Sequence, residues 1–169
     1  MDFITVPYDR SVDRKSFDCG QHSALNTYIH QHAGQDEKRH VSRTFMLLED
    51  GVLVGYYTLA NASAVESELG EELMKKMPRY PMPAVLLSRL AIDKAHQGKG
   101  FGKRLMADFF RRVYAVSKHS GVAFIVVDAK DQAAADYYKS LGFVESKTGP
   151  LRLALPTGTL IQGFRDLES

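Results

Sequence analysis

The stretch "AVLLSRLAIDKAHQGKGFGKRLMADFF", residues 84–110, changes character twice. Its first nine residues are almost continuously apolar, as in a strand buried on both faces in the middle of a sheet. From Phe101 onward, Phe101, Leu105, Phe109, Val113 and Val116 recur at helical spacing, with Lys103, Arg104, Arg111 and Arg112 expected to face away. Between strand and helix lie Gly98, Lys99, Gly100 and Gly102. Bare backbone lets a chain approach a ligand closely, and the N–H groups at a helix start are oriented donors, so this junction suits a phosphate.

The flanking sequence supplies a sheet for that junction. "FITVPY" reads as a short strand, and "CGQHSALNTYIHQHAG" as a helix with Leu25, Tyr28, Ile29 and His32 on one face. "RTFMLLEDGVLVGYYTLANASAV" is two β-rich runs joined at Glu49-Asp50-Gly51, a hairpin signal. "ESELGEELMKKM" predicts a short helix stopped by Pro78, and "RYPMP" an extended connector. "VAFIVVDA" is a second buried strand, Asp131 is placed to cap the helix "QAAADYYKSL" that Gly142 ends, and "FVESK" and "LRLALP" complete the sheet. The order βαββ(α)β–α–β–α–ββ predicts an α/β (α+β) fold. Its central sheet is mixed, of about six to seven strands, with helices on both faces.

A chain of 169 residues with 44% apolar and 25% charged residues suits one globular domain, residues 1–169. One cysteine, Cys19, excludes an internal disulfide framework and fits a reducing cytoplasm. It reads as an inert residue at a turn before the first helix. No run is apolar and long enough to span a bilayer, so no membrane role is expected. The net charge is only +2, but the cations are grouped. Lys94 to Lys118 holds seven Lys or Arg residues against Asp108 alone. Lys75, Lys76 and Arg79 form a second group and Lys38, Arg39 and Arg43 a third. Any one group could be a solvated face, but three suggest an anionic ligand or partner. The six histidines show no metal-ligand spacing, and no metal is expected.

Three phosphate-binding patterns compete for the glycine segment. A nucleotide-hydrolase loop needs Lys followed by Ser or Thr, and here Gly102 is followed by Lys103-Arg104. A dinucleotide fingerprint needs G-x-G-x-x-G early in the chain, and Gly98, Gly100 and Gly102 have the wrong spacing and place. The third, Q-x-x-G-x-G, is matched by Gln97, Gly100 and Gly102. With that motif, "LLSRLAIDKAHQGKGFGKRLM" and "AAADYYKSLGF" resemble the GNAT acetyltransferases, and the likeness extends over nearly the whole chain. "SRTF", "MPRYPMPAVLLSRLAID" and "YYKSLGF" are similar to the GNAT toxins of bacterial toxin–antitoxin modules, which acetylate the α-amine of aminoacyl-tRNA and block translation.

The resemblance implies a sheet splayed in the middle and acetyl-coenzyme A as cosubstrate, without a metal. It implies that Leu90, Ala91 and Ile92 pair with the pantetheine arm through their backbone. It assigns the pyrophosphate to Gln97, Gly98, Lys99, Gly100, Phe101, Gly102, Lys103 and Arg104. Tyr138 falls where the family places a tyrosine near the thioester sulfur, as a proton donor to the departing thiolate. Tyr137 competes for that role, and is packing if Tyr138 holds it. No base stands out in the sequence; Glu66 and Glu68 are the weak candidates, or else helix-start acids. An α-amine needs little help from a base, because it titrates near 8 where lysine titrates near 10.4. Arg43, Lys75, Lys76, Arg79 and Arg89 are the candidates to contact tRNA phosphates. Arg89 alternatively pairs with a buried carboxylate, because it interrupts an apolar strand. A small ribbon-helix-helix antitoxin and a homodimer are the partners the resemblance implies. An acetyltransferase for a small-molecule or protein amine, and a module that binds coenzyme A without catalysis, are the alternatives.

Overall fold

The turn expected at Glu49-Asp50-Gly51 joins β2 (Arg43–Glu49) to β3 (Val52–Ala64) in the computed structural model, with Glu49 opposite Val52. Asp50 and Gly51 have φ of 51° and 79°, the left-handed pair whose twist suits a two-residue hairpin. The structure describes residues 2–64, 69–70, 75, 77, 81–147 and 149–168. The other strands among them are β1 (Val6–Pro7), β4 (Met82–Leu87), β5 (Leu90–Ile92), β6 (Phe124–Asp128), β7 (Val144–Ser146) and β8 (Gly149–Pro156). The helices are α1 (Ser23–Thr27), α2 (Ala33–Lys38), α3 (Phe101–Ser117), α4 (Gln132–Ser140) and α5 (Thr157–Glu168), with a π-helical turn over Tyr28–His32. The expected mixed α/β class is present, with eight described strands where about six to seven were anticipated.

The chain forms two compact units, Met1–Ala60 with Ser88–Arg112, and Asn61–Leu87 with Val113–Ser169. In the first, β1 is antiparallel to β2, β2 to β3, and β3 to β5. Gly55 is what lets β5 and α3 close onto β3. A Cβ there would lie 2.7 Å from Ile92 Cδ1 and 3.1 Å from both the Ala91 carbonyl and Leu105 Cδ1. Phe17, Tyr28, Ile29, Met46, Tyr56 and Ala91 are central to the core of this unit. In the second unit β4 is parallel to β6, from Ala84 opposite Phe124 to Leu87 opposite Val127. β8 is antiparallel to both β6 and β7. Met82, Leu69, Phe124, Val126 and Ala154 pack together there. Asp131 caps α4 as expected, accepting from Ala134 N–H at 2.8 Å.

Three elements depart from the sequence expectation. The apolar run 84–92 is not one strand. The ladder from β4 to β6 ends at Leu87, and β5 pairs with β3, so Ser88 and Arg89 interrupt the run. The helix beginning near Gly20 runs on to Lys38, and its middle turn widens to a π turn. The sheet is not the end of the chain: α5 follows β8, with Phe164 stacked on Tyr114 at 4.9 Å. The helix expected over 66–77 falls largely outside the described residues.

Arg112, expected to face solvent, is drawn inward by a buried charge. Asp108 is fully buried and accepts from Ile4 N–H at 2.7 Å, Thr5 Oγ1 at 2.5 Å and Tyr57 Oη at 2.7 Å. The Arg112 guanidinium stands 3.6 Å from that carboxylate, donates to Tyr57 Oη, and lies between the rings of Phe3 and Phe45. Charge and every donor are matched, so removing the carboxylate leaves a half-buried cation and three hydroxyl or amide groups without a partner. Asp108→Ala is expected to cost about 3–5 kcal/mol of unfolding free energy, read by urea denaturation. A loss under 1 kcal/mol would show the network to be dispensable.

Candidate active site

The glycine loop is held by groups that precede it. Asp93 closes a single 3₁₀ turn over Lys94–His96, its side chain accepting from Ala95 N–H at 3.0 Å. The same carboxylate accepts from Asp18 N–H at 3.1 Å. Lys94 N–H returns a bond to the Asp18 carbonyl at 2.8 Å, and its ammonium pairs with the Asp18 carboxylate at 3.1 Å. Donation from Gly20 N–H, with Lys94 and Asn26 beside it, holds the Asp18 carboxyl at about 2, so it stays charged until strongly acid pH. Gln97 uses its side-chain amide to donate to the carbonyls of Cys19 at 2.7 Å and Ile92 at 2.9 Å. The motif glutamine is therefore a fastener for the loop.

What remains beyond the fastening is open. Gly98 and Gly100 have φ of 77° and 84°, where a side chain is strained, and a Cβ on either would meet no atom within 4 Å. The first helical bond reaching back to the loop is from Arg104 N–H to the Gly100 carbonyl at 3.2 Å. The N–H groups of Phe101, Gly102 and Lys103 therefore have no acceptor within the helix. Gly102 has an ordinary helical backbone and nothing within 4 Å of where a Cβ would lie. Neither turn geometry nor packing requires glycine there. Lys99, Lys103 and Arg104 are exposed, with Arg104 lying over the Phe101 ring. An oriented set of free amides flanked by cations fits a diphosphate.

Leu90, Ala91 and Ile92 form β5, bonded to β3 along Gly55–Tyr57, with Ala91 and Ile92 buried. Arg89, just before β5, has no carboxylate partner among the described residues. Its guanidinium lies 3.6 Å from the centre of the Tyr28 ring and donates to Ser88 Oγ at 3.1 Å. The buried carboxylate of the alternative reading is replaced by an aromatic face. Tyr28 is itself fixed by donating to Asp36 Oδ2 at 2.9 Å and by stacking on Tyr56. The π turn that carries Tyr28 and His32 joins α1, Ser88 and Arg89 around a cleft of about 570 Å³. Burial pushes the Tyr28 phenol up, so it is neutral and a donor at ordinary pH. Neither this cleft nor the loop fastening was anticipated from sequence. A tyrosine followed directly by a buried isoleucine in an otherwise amphipathic helix is the one trace of the π turn.

Tyr138 lies on α4 in the second unit and is buried, packed against Tyr137 and Phe143. Burial, reinforced by Tyr137, pushes its phenol up to about 12. Among the described residues nothing hydrogen-bonds its hydroxyl. The neighbouring Tyr137 is less buried and its phenol is also raised by burial. Of the other cations, Arg43 is engaged locally, pairing with Glu37 at 2.8 Å and meeting His40 Nδ1 at 3.0 Å. Lys75 is exposed, whereas Lys76, Arg79, Glu66 and Glu68 lie outside the described residues. No cluster of His, Cys, Asp or Glu among the described residues is placed to hold a metal, and no described helix is long and apolar enough to cross a membrane.

Residues 40–145 match the family model of the acetyltransferase (GNAT) domain. A tRNA-acetylating toxin of Mycobacterium tuberculosis (strain ATCC 25618 / H37Rv) is 35% identical over 143 residues, 85% of each chain. The structure of AtaT complexed with acetyl-methionyl-tRNAfMet is similar with a TM-score of 0.85 and 30% identity, covering 96% of this chain and 99% of that one. A tyrosine-to-phenylalanine variant of AtaT, bound to the C-terminus of the antitoxin AtaR and acetyl-CoA, is similar with a TM-score of 0.80 and 27% identity over 98% and 99% of the two chains. The glycine loop opening α3, the strand before it and the family match agree: the chain belongs to the GNAT acetyltransferases, enzymes that transfer the acetyl group of acetyl-coenzyme A.

Proposed function

We propose that residues 1–169 form one acetyltransferase domain that acetylates the α-amine of aminoacyl-tRNA and so blocks translation. The observation that carries the acceptor is the likeness, over 85% of both chains, to a tRNA-acetylating toxin. The AtaT complex with an acetylated aminoacyl-tRNA supports it. The free amides at Phe101–Lys103, with Lys99 and Arg104, hold the pyrophosphate, and Leu90–Ile92 presents its backbone to the pantetheine arm. The amine nitrogen attacks the thioester carbonyl, forming the N–C bond as the C–S bond breaks. The thiolate takes a proton from the Tyr138 hydroxyl, and the amine's surplus proton restores the phenol by way of solvent. A phenol held at about 12 suits the acid role, since it stays protonated throughout the working range. Exposed Lys75, with Lys76 and Arg79, supplies contacts to tRNA phosphates.

The reading extends to partners and place. The AtaT structure with a segment of AtaR supports an antitoxin partner for this chain, and that partner is a small ribbon-helix-helix protein in this reading. The enzyme works as a homodimer in the cytoplasm, where both tRNA and acetyl-coenzyme A are found.

Tyr138→Phe keeps the ring in its packing and removes the proton. It is expected to lower kcat about 100-fold while calorimetry finds acetyl-coenzyme A affinity within twofold of wild type. Expression of the wild-type chain alone in bacteria should arrest growth, and expression of Tyr138→Phe should not. Normal growth at good wild-type expression would overturn the toxin reading.

The pH profile gives a second check. With a phenol at about 12, only about one part in a thousand is ionised at pH 9, so kcat should not fall between pH 7 and 9. A decline centred near 8 would exclude Tyr138 as the acid.

Gly102→Ala tests the loop. Alanine improves a helical position with open space at its Cβ by up to about 1 kcal/mol, so stability should hold or rise. The added methyl stands where the diphosphate approaches, so acetyl-coenzyme A affinity should drop tenfold or more. Unchanged affinity would remove the loop from the binding site.

A further inference from the structure

The cleft of about 570 Å³ bounded by α1, the π turn, Ser88 and Arg89 is lined by none of the residues assigned to the cofactor, and Ser88 and Arg89 lie immediately before β5 in the chain. Its volume is in the range of small-ligand sites. Its chemistry is uneven. The walls are short or apolar, such as Ala24 and Leu25, while Arg89 is the one arginine or lysine lining it. Unlike Arg43, Lys94, Lys139 and Arg112, each of which faces a carboxylate, Arg89 has none among the described residues.

A cation–π contact differs from an ion pair in what it leaves available. With Tyr28 against one face at 3.6 Å, the guanidinium is oriented and partly desolvated, yet its charge is not neutralised. One terminal nitrogen donates to Ser88 Oγ, and its remaining donors keep their capacity. A planar fork held this way is suited to two parallel bonds to an oxyanion. The Tyr28 hydroxyl bond to Asp36 and the ring stack on Tyr56 keep the aromatic face from turning away.

We infer that this cleft receives the amine acceptor and that Arg89 binds an oxyanion carried by that acceptor, which in an aminoacyl-tRNA is the phosphate of its 3′-terminal nucleotide. This rests on the acetyltransferase reading above and sharpens it. Arg89 is a binding residue here, separate from the exposed cations that contact the tRNA elsewhere. Tyr28 is a positioning residue that acts through it.

The test compares two acceptors carrying the same aminoacyl group: the aminoacyl-tRNA, and the aminoacyl group esterified to adenosine, which lacks the phosphate. Each is assayed with saturating acetyl-coenzyme A for wild type, Arg89→Ala and Arg89→Lys. Wild type is expected to prefer the phosphate-bearing acceptor in KM. Arg89→Ala should shrink that preference about tenfold or more, and Arg89→Lys should recover part of it, because lysine keeps the charge but not the fork. A preference unchanged by both substitutions would overturn the inference. So would wild-type acetylation of the free amino acid at a rate matching aminoacyl-tRNA and abolished in Arg89→Ala, since the oxyanion would then be a carboxylate. If wild type acetylates no aminoacyl-tRNA at all, the proposed function fails first. If it does so and the preference stays fixed, only the Arg89 assignment fails.

Discussion

The two-way bond between the Asp18–Gly20 segment and the Asp93–Gln97 turn is the constraint on which the site depends. Fixing backbone costs roughly 1–2 kcal/mol per residue, and glycine loses more conformational entropy than any other residue. A loop with three glycines therefore needs neighbours that order it without using its own donors. Asp93, Lys94 and Gln97 do this, joined to Asp18 and Cys19 by four hydrogen bonds or ion pairs that end at Gln97. The amides of Phe101, Gly102 and Lys103 have no acceptor within the helix and point where helix geometry sends them. The result is preorganisation: the cost of arranging the donors falls on folding rather than on binding.

A similar economy governs Arg89. A half-buried guanidinium needs some compensation, and two kinds were open to it. A carboxylate would neutralise it and abolish its attraction for an anion. An aromatic face contributes on the order of 0.5–2 kcal/mol and leaves the charge in place. The π turn is what makes the second solution available, because the extra residue in that turn changes which side chain faces Arg89. Such turns are uncommon and concentrate at functional sites, since they are tolerated where a ligand-facing side chain gains from them.

Much of the architecture was legible in the residues. The Asp50-Gly51 hairpin, the Asp131 cap and the amphipathic α3 follow from local rules that operate over four to seven residues. The division of the 84–92 run into β4 and β5 was not legible, because both halves are apolar and only strand pairing separates them. Arg112 was misread as a surface cation because its partners, Thr5, Tyr57 and Asp108, are up to 107 residues away in sequence. The glycine loop and Tyr138 could be picked out from a motif as candidates for the site. The loop fastening could not, since the glutamine of the motif looks like a ligand-binding residue until its carbonyl partners are known. α5 went unseen because Gly158 and Gly163 weaken its helical signal, and its stack on Tyr114 supplies what propensity lacks.

The proton economy of the reaction ties these parts together. The only strongly raised phenol on α4, Tyr138, can donate but is far too weak an acid to help remove a proton from an ammonium. Among the described residues no carboxylate sits beside Arg89 to act as a base. An acceptor must therefore arrive largely neutral or lose its proton to solvent. At pH 7.4 an α-amine is roughly one-fifth neutral and a lysine roughly one-thousandth, a difference of about 3 kcal/mol in the cost of reaching the nucleophilic form. Esterification lowers the α-amine further. Among the described residues, a site that offers no carboxylate as a base is matched to an amine that needs little help to lose its proton. That match favours an aminoacyl ester over a protein lysine as acceptor.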